Sequence, residues 1–93
     1  MIKAHKHSVV HKFELKFTCN ELRLPMDAIV LTAQCQGDKV MIWALVDPLK
    51  QMVTRTFIVK GTGHSIGLDG DVIYINTCQD SSNLVWHVFE LSI

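Results

Sequence analysis

The chain has 93 residues, 48% hydrophobic and 19% charged, and a formal net charge of zero at pH 7. That length makes one domain, and that composition belongs to a globular chain rather than a disordered one. Zero net charge argues against direct nucleic-acid binding by phosphate neutralisation, and the lack of any run of about 18 apolar residues excludes a membrane-spanning helix.

The amino-terminal segment MIKAHKHSVV places Lys and His where a signal peptide needs unbroken apolar sequence, so a cytoplasmic protein is expected. Residues 1–9 read as a mobile extension and residues 10–93 as a single β domain. His5, His7 and His11 share one side of an extended chain. Three imidazoles have the chemistry to hold zinc, but lysines lie among them and the segment is terminal. The preferred reading is a solvated tail, with no resident metal and no cofactor.

From residue 11 onward the dominant period is two. In HKFELKF, Phe13, Leu15 and Phe17 alternate with Lys12, Glu14 and Lys16, the pattern of a half-buried strand. NELRL at 20–24 alternates again and stops at Pro25. AIVLTAQCQ at 28–36 and KVMIWALVD at 39–47 flank Gly37-Asp38, which predicts a tight hairpin. Asp47-Pro48 ends that strand, because proline donates no hydrogen bond and biases the residue before it. MVTRTFIVK at 52–60, VIYINTC at 72–78 and LVWHVFEL at 84–91 complete about seven strands, with little or no helix. The expected fold is all-β, an antiparallel β-sandwich or small barrel.

Two strands break the alternation. VMIWALV at 40–46 and LVWHVFEL are apolar on both faces, so each needs cover on two sides. Met41, Trp43 and Leu45 share one face. They are expected either in the core or at an interface with a second copy or another protein, which leaves a homodimer open.

GTGHSIGLDGD at 61–71 holds four of the five glycines. A phosphate loop needs a lysine and a following helix, and this stretch has neither. It also lies in the acidic third of the chain. Residues 61–93 carry four acids and no Lys or Arg, a net of −4, against +3 over residues 1–24. A glycine-rich hairpin connection is therefore expected. Cys19, Cys35 and Cys78 are widely spaced, odd in number and form no CxxC, so they read as reduced buried thiols.

Six residues are candidates for contact with a partner or ligand: Trp43, Asp47, Arg55, Thr62, His64 and His87. Arg55 would meet a phosphate and Trp43 would offer a stacking surface. His64 sits on the glycine loop with Thr62. His87 is a histidine within an apolar strand, and such residues are usually hydrogen-bonded core groups. No nucleophile is spaced for partnership with it, so no catalytic residue is assigned and an enzyme is not expected.

At WALVDP (43–48), GTGH (61–64) and HVFE (87–90) the chain resembles a set of small proteins of unassigned function encoded by tailed bacteriophages and prophages. Leu24-Pro25, those three segments and Arg55 follow the order of that set. The match covers about residues 10–91. Ser65 stands where such proteins often have proline, and the first nine residues are an extension, so His5 and His7 inherit nothing. The resemblance implies a phage product made in the host bacterial cytoplasm. The expected function is non-catalytic binding to a bacterial host protein, a host-defence inhibitor in the manner of an anti-CRISPR being one form. The alternatives are a module that sequesters a small molecule or nucleotide, and a virion or assembly structural protein.

Overall fold

The computed structural model describes residues 1–92. It confirms the all-β expectation. Among the described residues there are seven strands: β1 (Val9–Leu15), β2 (Thr18–Pro25), β3 (Ile29–Gln36), β4 (Lys39–Val46), β5 (Met52–Gly61), β6 (Asp71–Gln79) and β7 (Val85–Ser92). Two antiparallel sheets form, one ordered β1-β4-β3 and the other β2-β5-β7-β6. No described helix is long and apolar enough to cross a membrane.

The core lies between the sheets. Val40, Ile42, Ala44 and Val46 of β4 point inward and are almost wholly buried, as are Phe57, Val59, Val88 and Leu24 from the other sheet. The doubly apolar β4 is thus resolved by parity. Its even-numbered side chains fill the core, and Met41, Trp43 and Leu45 turn to the outer face of the three-stranded sheet. The Lys12 ammonium stands 6.0 Å from the Trp43 ring centre and donates to Gln36 Oε1 at 3.0 Å. β4 is the central strand, flanked by β1 and β3, and Trp43 and Leu45 remain half-buried on its outer face.

β3 and β4 form the predicted hairpin at Gly37, whose φ of 61° suits a residue without Cβ. The chain then crosses between sheets. The corner after β1 is held by Asn20, which accepts the Lys16 N–H at 2.7 Å and donates to the Lys16 carbonyl at 2.8 Å. Thr18, the first residue of β2, has a φ of 85° there.

The glycine segment is not a hairpin. β5 and β6 do not pair, because β7 lies between them, and residues 62–70 carry the chain past the β7 strand to the sheet edge. Alternation within a segment reports its faces but not its neighbours, so local pattern could not reveal this insertion.

On one side of the molecule the edge strands β3 and β6 approach each other without forming a ladder. Each carries a register shift, at Val30/Thr32 and at Tyr74/Asn76. A bulge bends an edge and ends its pairing, which suits a seam between two sheets. Asn76 bridges the gap, its Oδ1 accepting the Ala33 N–H at 2.9 Å and the Thr32 hydroxyl at 3.0 Å. Further along, the Ser81 N–H donates to the Gly37 carbonyl at 2.8 Å.

Candidate functional site

Below Asn76 the seam opens into a cleft of about 420 Å³ between residues 28–31 and 73–76. Its floor is polar and fully paired. Arg55 on β5 and Glu90 on β7 both point between the sheets. Arg55 Nε donates to one Glu90 oxygen at 2.6 Å and Nη2 to the other at 2.8 Å, while Nη1 donates to the Ala28 carbonyl. The hydrogen bonds to Glu90 hold the guanidinium pKa above its ordinary value. The rim is the opposite in character. Ile29, Leu31, Ile73 and Tyr74 all remain exposed, the last two by 56% and 57%. Four large apolar side chains around one opening are a patch of the kind that marks interaction surfaces.

A second cluster lies on the outer face of the four-stranded sheet. His87 faces outward from β7 and is half-buried. Its Nε2 is 2.8 Å from the Thr62 hydroxyl and its Nδ1 is 2.9 Å from the Thr77 hydroxyl, which is 2.7 Å from the Tyr74 hydroxyl. His87 is thus a hydrogen-bonded residue as expected, but it belongs to the surface and not to the core. Tyr74 joins the two sites: its hydroxyl ends this chain, and its ring packs edge-on to Phe89 with centres 5.7 Å apart.

The GTGH loop folds back on Trp86. The His64 N–H donates to the Gly61 carbonyl at 3.2 Å, and a Cβ on Gly61 would stand 3.1 Å from His64 Nδ1 and 3.6 Å from the Trp86 ring. Phe17 stacks on Trp86 with centres 4.2 Å apart. A hollow of about 360 Å³ opens beside Thr62, His64, Asn83 and Trp86. Trp86 is anchored from below, its indole N–H donating to Asp80 Oδ2 at 2.9 Å. Asp80 Oδ1 accepts the Ser82 and Leu84 N–H groups. These donors, the indole first, lower the Asp80 pKa.

Of the six sequence candidates, Thr62 and His87 meet on the outer face near the start of β7, and His64 lies apart from them against Gly61 and Trp86. Arg55 lies on the inner side of the same sheet with Glu90. Trp43 is on the outer face of the other sheet, so it offers no stacking surface to either group. Asp47 serves the turn after β4, accepting the Leu49 N–H at 3.0 Å, and lies 3.5 Å from His5 Nε2. His7 packs edge-on to His5, whereas His11 packs against Phe13. Among the described residues no group of three or more His, Cys, Asp or Glu is arranged to hold a metal ion.

Sequence reasoning missed Glu90, Asn76 and the apolar rim. Glu90 was visible as an acid inside an apolar strand. With Arg55 the only basic residue amid MVTRTFIV, the pair had a signal. Asn76 and the rim depend on how two remote edges meet, which nothing local encodes.

The fold and its sites define a small two-sheet β protein whose polar groups are paired internally and whose open seam is apolar. The chain belongs to the family described as a domain of unknown function, DUF7352, which matches residues 6–93. No curated protein matches it, and no solved structure does.

Proposed function

We propose that the chain is a phage-encoded, non-catalytic binding protein that acts in a host bacterium by covering a surface of a host protein, a defence component among the candidate targets. The observation that supports this reading is the seam cleft, where exposed Ile29, Leu31, Ile73 and Tyr74 surround a floor whose charges are already paired. An apolar rim over a neutralised floor suits the side chains of a protein partner. It does not suit a phosphate, because three nitrogens of Arg55 already have acceptors. Protein contacts of this kind draw most of their affinity from a few buried aromatic and apolar anchors, a role open to Tyr74 and Ile73.

The test is affinity capture from host lysate with the wild-type chain and with the Leu31→Glu and Ile73→Glu variants. One host protein enriched by the wild type and lost with both variants is the expected outcome. Equal recovery by all three chains, or no enriched host protein, would overturn the proposal. Circular dichroism of the variants separates loss of binding from loss of fold.

A further inference from the structure

We propose that Cys35 and Cys78 form a redox modification site, in which exchange with a small-molecule disulfide of the glutathione class joins them and closes the β3–β6 seam covalently. The geometry comes from two fixed points. Asn76 ties β6 to Ala33, and Ser81 is tied to Gly37. Cys35 lies two residues beyond Ala33, and Cys78 two residues beyond Asn76, so both occupy the stretch between the ties. Period-two parity turns each toward the interior from its own strand. Cys78 belongs to the buried core and Cys35 packs against it, half-buried. The two side chains are therefore neighbours across the seam, bracketed by the Asn76 and Ser81 ties. Two inward-turned cysteines on adjoining edges that are tied on both sides of them are placed for closure to the S–S separation of about 2.0 Å.

Access sets the order of events. Burial, with the Cys35 thiol beside it, pushes the Cys78 thiol up to about 12, so it does not start the exchange. The more accessible Cys35 thiolate attacks one sulfur of the small disulfide and expels the first thiolate. Cys78, on losing its proton, then attacks the Cys35 sulfur and expels the second. Two protein thiols and one small disulfide become one protein disulfide and two small thiols, and the two protons pass to the departing thiolates. Cys19 is exposed on the outer side of β2 and has no cysteine partner among the described residues, so it takes no part in closure.

The experiment is incubation of the reduced chain with oxidised glutathione, followed by alkylation and tryptic mass spectrometry without reduction. Cleavage after Lys16, Arg23, Lys39 and Lys60 puts Cys19, Cys35 and Cys78 on separate peptides. The expected product is a cross-link between peptides 24–39 and 61–93, loss of two hydrogens from the intact monomer, and a melting temperature raised by at least about 5 °C over the reduced form. Cys78→Ser should then stop at a glutathione adduct on Cys35. Accumulation of that adduct in the wild type without closure overturns the proposal. So does a cross-link that lowers the melting temperature, since it would show that the seam must be distorted to bring the sulfurs together.

Discussion

Removing the carboxylate beneath the cleft should be costly, and removing both of its charges should not. Glu90→Gln keeps the shape of the side chain but turns an amide NH2 toward a guanidinium that cannot shed its proton. The wild-type pair has two N–H···O contacts at 2.6 and 2.8 Å, with side-chain exposures of 23% for Arg55 and 18% for Glu90. At an effective dielectric of about 20, two unit charges about 4 Å apart attract by about 4 kcal/mol. Residual solvent contact reduces this, so an expected loss of about 2–3 kcal/mol follows for Glu90→Gln, below the range for a fully buried pair. Arg55→Met leaves the carboxylate stranded and should cost a similar amount. The double change Arg55→Met with Glu90→Leu removes both desolvation penalties and should lie within about 1 kcal/mol of wild type. Urea unfolding followed by Trp43 and Trp86 fluorescence gives all three values, provided the slopes stay equal. A double variant as unstable as the sum of the singles would refute the reasoning, because the pair would then contribute through shape and not through charge.

Two further expectations concern the start of β7. Gly61→Ala should destabilise the wild type, since the new methyl meets the His64 ring at 3.1–3.2 Å, yet in a His64→Ala background it should stabilise by about 0.4–1 kcal/mol through the unfolded chain; a double-mutant cycle by thermal unfolding reads the sign change. Asp80 is stabilised as a carboxylate in the folded state, so its contribution is present above the ordinary Asp pKa of about 3.9 and is lost as pH falls through its lowered folded value. Asp80→Asn should therefore flatten the acid limb of stability measured between about pH 2 and pH 5.

Where side-chain parity alone decides structure, the sequence was readable. β1 and β2 each announce two faces, and Gly37-Asp38 names a hairpin that forms where expected. The difficulty began wherever two distant segments had to be matched. Nothing between residues 61 and 71 states that β7 will come between β5 and β6. The inward direction of Phe57, Val59 and Val88 is equally compatible with either order. The candidate residues show the same division. Thr62 and His64 were recognisable as a loop pair, but the meeting of Thr62 with His87 follows from the Gly61–Trp86 register. The motifs themselves now have a physical content: the Thr of GTGH meets the His of HVFE, the Glu of HVFE meets Arg55, and the first Gly of GTGH leaves room for its own His. Those pairings tie the segments to one another within this fold without requiring that any of them perform chemistry.

The position of β7 also bears on how the protein is made. A ribosome delivers β5 and β6 before the strand that must separate them, so each emerges with one edge waiting for a neighbour not yet synthesised. Premature pairing of those two edges would lock out the last strand and leave Val88 without its place in the interior. The loop of residues 62–70 is too long for a tight turn, so it does not by itself force those two edges into a hairpin.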